Sequence, residues 1–106
     1  MQSSSEEAKQ AIITVLANIP YGSVCTYGHV AKLAGQTGKA RLVGYILKHL
    51  PEPTSIPWHR VINSQGLSSF PIDTDKYLLQ MSKLESEGVR TSNGKVSLKK
   101  YLWLAN

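Results

Sequence analysis

The chain has 106 residues, 42% of them hydrophobic and 18% charged, and carries 12 Lys plus Arg against 7 Asp plus Glu, a formal net charge of +5. That length supplies one hydrophobic core and leaves too little for a second, so a single domain over residues 1–106 is expected. No apolar run approaches the roughly 18 residues that span a bilayer, which excludes a membrane helix, and the basic balance points to an anionic partner.

In chain order, Ser4 to Glu7 reads as a capping box, and Ala8, Ala11, Ile12, Val15, Leu16 and Ile19 recur behind it at helical spacing. Pro20-Tyr21-Gly22-Ser23 stops this helix. Thr26 can cap a short helix from Tyr27 to Ala34, which Gly35 ends through a left-handed turn. After Gln36-Thr37-Gly38, a further helix is expected from about Lys39 to Leu50, ended by Pro51 and Pro53. Leu42, Val43, Ile46, Leu47 and Leu50 form one stripe of it, and Arg41, Gly44, Tyr45 and Lys48 form the outward one. Two helices joined by a Gly-containing turn, the second with exposed Arg, Lys and Tyr, make a helix-turn-helix, whose second helix docks into a DNA groove. Gly44 costs that helix about 1 kcal/mol relative to alanine and leaves room for a close partner.

Val61 to Leu67 reads as a short strand and turn, the place of the wing in a winged helix. Another helix begins at Asp73 or Thr74, with Tyr77, Leu78, Met81 and Leu84 as its apolar face and Gly88 as its stop. Asn93-Gly94 centres a hairpin between Val89 and Leu98, and a basic tail from Lys99 contains Tyr101-Leu102-Trp103. The expected fold is therefore mostly α with a small β wing, a winged helix-turn-helix domain.

The chemistry concentrates in Pro57-Trp58-His59-Arg60-Val61. Indole has no ionisable atom and no useful nucleophilic lone pair, so a site built around Trp58 stacks or wedges and is not alkylated turnover after turnover. Between Pro20 and Gly66 the charges are Lys32, Lys39, Arg41, Lys48 and Arg60 against Glu52, which puts most of the basic excess beside this motif. Cys25, the one cysteine, precedes a helix start with His29 four residues on. Its plainer reading, a small buried hydrophobe, is preferred over a nucleophile. His29, His49 and His59 lack zinc-ligand spacing, so no metal and no cofactor is expected.

Ile19-Pro20-Tyr21-Gly22, Thr26-Tyr27-Gly28, Ala40-Arg41-Leu42-Val43-Gly44 and Ile56-Pro57-Trp58-His59-Arg60-Val61, in this order and spacing, resemble the DNA-binding domain of O6-alkylguanine-DNA alkyltransferases. There the residue between Pro and His-Arg-Val is the alkyl-accepting cysteine. With Trp58 in its place, the chain resembles the alkyltransferase-like proteins, which bind alkylated guanine without repairing it. The resemblance covers roughly residues 10 to 88 and implies no enzyme activity.

By position, the resemblance makes Arg41 the finger that enters from the minor groove and fills the gap left by an extruded nucleotide. Tyr27 pushes on the neighbouring phosphate, and Ala40 and Gly44 let the helix lie in the groove. Lys48 and Ser64 join them as DNA contacts. The lesion pocket it implies comprises Tyr27, Leu47, Trp58, His59, Val61 and Glu87, with the Trp58 and Val61 backbones reading the guanine edge. His59 and Glu87, lacking a thiol to activate, remain as a structural hydrogen-bonded pair, and Arg60 anchors the same loop. The chain departs from the family pattern at Leu50-Pro51 and over the lid, Leu67-Ser68-Ser69-Phe70-Pro71-Ile72. The partner implied is double-stranded DNA containing O6-alkylguanine, bound by a monomer and handed to nucleotide excision repair proteins.

The first seven residues lack a secretory signal, and with a DNA partner this places the chain in the cytoplasm, in a bacterial nucleoid or equivalent compartment. The competing reading is a winged-helix transcription regulator, with Arg41 and Lys48 in the major groove and Trp58 in the core.

Overall fold

A computed structural model describes residues 5–105. The first helix, α1 (Ser5–Ala17), buries Ala8, Ile12 and Leu16 on one stripe; the capping role of Ser4 lies outside the described residues. A two-residue strand, β1 (Cys25–Thr26), leads into α2 (Tyr27–Leu33), where the Thr26 side chain accepts from His29 N–H as the N-cap. Gly35 takes φ +74° and turns the chain into α3 (Ala40–Lys48).

The third helix ends two residues before the sequence suggests. Proline disfavours helical geometry in the residue before it, so Leu50 cannot continue the spiral into Pro51. His49 closes the end instead, with its Nδ1 2.8 Å from the Tyr45 carbonyl and its ring stacked on Tyr45.

Trp58–Arg60 forms a single 3-10 turn that runs into β2 (Val61–Ile62). This strand pairs in parallel with β1, Cys25 against Val61 and Thr26 against Ile62. Parallel neighbours require a long crossover, and here α2 and α3 supply it. The strand and turn expected at residues 61–67 are present, with Asn63 N–H bonded to Leu67 O, but the strand's partner lies upstream of the helix-turn-helix.

Beyond the lid, α4 (Asp75–Ser86) is capped by Thr74 and followed by Gly88 at φ +83°. The antiparallel pair β3 (Thr91–Ser92) and β4 (Lys95–Val96) turns at Asn93 and Gly94, both with positive φ, as a type I′ hairpin requires. A last turn, α5 (Leu98–Tyr101), ends the regular structure.

Two core clusters meet at the β1–β2 pair. Cys25 and Val61 point into a cluster with Ile12, Leu16, Val30, Val43 and Ile46, while their neighbours Val24 and Ile62 point into one with Leu84, Val89 and Val96. Strand alternation explains this: adjacent residues face opposite sides, so one short pair of strands stitches the helix-turn-helix to α4 and the hairpin.

The apolar face read for α4 is corrected in one position. Leu78 is 60% exposed, and Gln80 is buried in its place. With Tyr77, Met81 and Leu84 fixing the stripe, a residue one step past Tyr77 lies about 100° round the helix, whereas position 80 falls back on it. Gln80 satisfies its amide by donating Nε2–H to the carbonyls of His59 and Val61, at 3.1 and 3.0 Å.

Candidate nucleic-acid interface and base pocket

Three elements enclose a cavity of about 420 Å³: the start of α2, one side of α3, and the segment from Trp58 through the lid to the first turn of α4. Tyr27, Leu47, Trp58 and Val61, four of the expected pocket residues, line it. Gly44 and Lys48, expected as DNA contacts, line it as well, so α3 presents one continuous surface from cavity to exterior. Gly44 faces the Tyr27 ring; a Cβ there would stand 3.9 Å from Tyr27 Cε1, an ordinary contact. Arg41 is exposed, Ala40 half-buried, and Ser64 exposed in the turn after β2.

Trp58 belongs to neither core cluster and is half-buried at the cavity wall. Its ring meets Phe70 edge-on at 6.0 Å and His59 edge-on at 6.0 Å, and the Lys76 ammonium stands 4.1 Å from the ring centroid. The regulator reading needs Trp58 in the core, and its position speaks against that reading.

The backbone around Trp58 is already engaged. Trp58 N–H donates to Ile56 O at 2.8 Å, Val61 N–H donates to Trp58 O, and Val61 O accepts from Gln80. Each of these two carbonyls accepts one of these bonds, and a carbonyl oxygen carries two lone pairs.

His59 and Glu87 are not part of the cavity lining. They belong to a polar cluster in which Glu87 Oε2 accepts from His59 Nε2 and Arg60 Nη2, both at 2.7 Å, while Oε1 accepts from Arg60 Nε at 2.9 Å and Gly22 N–H at 3.0 Å. Arg60 Nη1 adds a bond to Ile19 O at 2.7 Å. Burial works against the Glu87 charge, yet these donors outweigh it and hold the carboxyl at about 2. Burial pulls His59 below its usual value against the opposing pull of Glu87, so the ring is neutral near pH 7 and donates Nε2–H. The hydrogen bonds expected of these three side chains are present, while the cavity lining expected of His59 and Glu87 is not.

Cys25 is fully buried, and burial pushes its thiol up to about 11, which leaves no thiolate for nucleophilic work near pH 7. Among the described residues, no group of three or more His, Cys, Asp and Glu is placed to hold a metal, and no helix is long and apolar enough to cross a membrane.

Sequence reasoning missed Phe70 and Lys76, which complete the wall around Trp58, and Leu50, Glu52, Thr54 and Ser69 on the rim. Phe70 left a signal, the lone aromatic of the lid; Ser68 Oγ holds that lid by accepting Phe70 N–H at 3.1 Å and bonding Gln80 Oε1. Lys76 left none, because only the docking of α4 brings it over the ring.

A helix-turn-helix with exposed Arg41 on its second helix, beside an aromatic-walled cavity, has the makeup of a DNA-binding domain. Comparison with known proteins gives the family: residues 7–89 match the 6-O-methylguanine DNA methyltransferase, DNA binding domain, and the chain belongs to that family. A DNA base-flipping protein of Vibrio parahaemolyticus is 50% identical over 87% of this chain and 91% of its own length. Alkyltransferase-like protein 1 of Schizosaccharomyces pombe is 41% identical over 92% of this chain and 95% of its own. The crystal structure of S. pombe Atl1 in complex with damaged DNA containing O6-carboxymethylguanine aligns at a TM-score of 0.83 and 39% identity, covering 95% of this chain and 98% of that one.

Proposed function

We propose that this chain is a non-enzymatic sensor of DNA damage: it binds duplex DNA through the minor groove, rotates an O6-alkylguanine into the cavity beside Trp58, and holds it there. The observation that carries this reading is the position of Trp58, whose ring forms the cavity wall beside α3 instead of filling the core. Stacking of a base on an aromatic ring contributes about 1 to 3 kcal/mol, which offsets much of the few kcal/mol needed to unstack it. Arg41 fills the vacated space, and its planar guanidinium can stack and hydrogen-bond the orphaned base where a lysine would do so badly.

No alkyl group is transferred on this reading, because indole is no nucleophile and Cys25 is sealed in the core as a thiol. A complex that removes nothing is useful only as a mark. The domain, acting as a monomer in the cytoplasm, therefore flags the lesion for nucleotide excision repair. The names of the relatives and the DNA complex of S. pombe Atl1 support lesion binding by base flipping.

The test is a titration, at fixed salt, of one duplex with and without a single O6-methylguanine, followed by mass analysis of protein and DNA. Tighter binding to the lesion with both masses unchanged is expected. Equal binding to the two duplexes, or a methyl group found on the protein, would overturn the proposal.

A further inference from the structure

The cavity is apolar on most of its wall, through Tyr27, Leu47, Leu50, Trp58, Val61 and Phe70, but two ammonium groups, Lys48 and Lys76, also line it. Opposing them is one carboxylate, Glu52, at the rim. Its bond to Lys76 is long, 3.7 Å between Nζ and Oε1, and its side chain is 72% exposed. An exposed pair of this kind contributes little and is readily exchanged for another anion. Lys76 itself is placed by the indole: Nζ sits 4.1 Å from the Trp58 centroid, over the ring, and both side chains line the cavity.

A neutral O6-alkyl group entering this space gains only dispersion and apolar contact. A substituent that ends in a carboxylate can also displace Glu52 and take the Lys76 ammonium into a charge-assisted hydrogen bond, at a site where the Lys76 side chain is 41% exposed. We propose that Lys76 tunes this pocket toward O6-alkylguanines whose substituent is anionic, with Glu52 as the counter-ion they replace. The inference rests on the reading of the cavity as a base pocket, and it adds the substituent class and the residue that selects it.

The experiment compares four duplexes identical except at one guanine: unmodified, O6-methyl, O6-carboxymethyl, and O6-carboxamidomethyl. The last matches the carboxymethyl group in shape and lacks its charge. Affinities are measured by fluorescence anisotropy at one salt concentration, for the wild type, Lys76→Gln and Lys83→Gln. Lys83 lies on the same helix outside the cavity and reports the effect of overall charge alone.

The wild type should bind the carboxymethyl duplex about tenfold tighter than the carboxamidomethyl one, a difference of about 1.4 kcal/mol. Lys76→Gln should bring that ratio near one while keeping the preference for O6-methylguanine over guanine, and Lys83→Gln should leave the ratio standing. A ratio near one in the wild type, or one that survives Lys76→Gln or falls equally with Lys83→Gln, would overturn the proposal for Lys76 and leave the base pocket intact. Failure of every lesion to outbind the unmodified duplex would instead remove the base pocket, and this inference with it.

Discussion

Arg60 and Glu87 meet fork to fork, with Nε 2.9 Å from Oε1 and Nη2 2.7 Å from Oε2. The third guanidinium nitrogen, Nη1, donates to Ile19 O, and the carboxylate also accepts from Gly22 N–H and His59 Nε2–H. One acid after α4 thereby ties down the end of the first helical segment and the turn that carries Trp58. Bidentate geometry is specific to arginine, and its strength depends on both partners being present.

Glu87→Gln should accordingly destabilise the domain, because it leaves a nearly buried guanidinium with half a partner. Breaking such a pair costs about 3 kcal/mol, which for a domain of this size lowers the melting temperature by on the order of 10 °C. Thermal unfolding followed by circular dichroism measures it. A variant melting within about 2 °C of the wild type would show that the cluster does not hold the loop.

The same cluster sets an acid limit. Glu87 is held at about 2 against a usual 4.5, so its stabilisation is complete above pH 4.5 and is lost as pH falls toward 2. A gap of that size corresponds to about 3 kcal/mol. His59 adds in the same direction: its folded value lies below 6.5, so the loss begins as the pH drops under 6.5 and the buried ring is forced to charge. Urea unfolding at about pH 7, 5 and 3 should show a stepwise fall, with the lowest step absent in Glu87→Gln. Constant stability across that range would contradict the assignment.

Much of this architecture is legible in the sequence because it is locally encoded. Thr26 and Thr74 cap helices, Gly35 and Gly88 end them, and Asn93-Gly94 turns the hairpin, each through the chemistry of one or two residues. The pocket is legible only in part. Tyr27, Leu47, Trp58 and Val61 come from motifs, whereas Phe70 and Lys76 reach the Trp58 ring through the path of the lid and the docking of α4, which no local pattern records. Gln80 was hidden for a related reason. A polar residue on a buried stripe makes sense only once the carbonyls of His59 and Val61, about twenty positions away in sequence, are brought to it.

Arg41 and Trp58 should fail in different ways. Arg41 is exposed on α3 and outside the cavity, so Arg41→Ala should weaken binding to lesion-containing and plain duplex alike and reduce base extrusion, read with a fluorescent base analogue at the lesion site. Trp58→Ala should mainly compress the preference for the alkylated base, by roughly tenfold if stacking contributes about 1.4 kcal/mol. Trp58→Phe keeps an aromatic face and should retain part of that preference. Unchanged lesion affinity in both alanine variants would remove both residues from the proposed roles.

Gly44 offers a separation of stability from binding within one variant. Adding a methyl there meets only the Tyr27 ring at 3.9 Å, and alanine favours the helix by up to about 1 kcal/mol, so Gly44→Ala should fold at least as stably as the wild type. The new methyl also enters the cavity and stands on the helix surface proposed to lie in the groove. Lesion binding should therefore weaken by roughly fivefold to tenfold while the melting temperature holds or rises. Gly66→Ala is the contrasting control. Its Cβ would collide with the Val96 carbonyl oxygen at a position with φ +82°, so it should destabilise the fold itself. A Gly44→Ala protein that binds the lesion as tightly as the wild type would place this face of α3 away from the DNA.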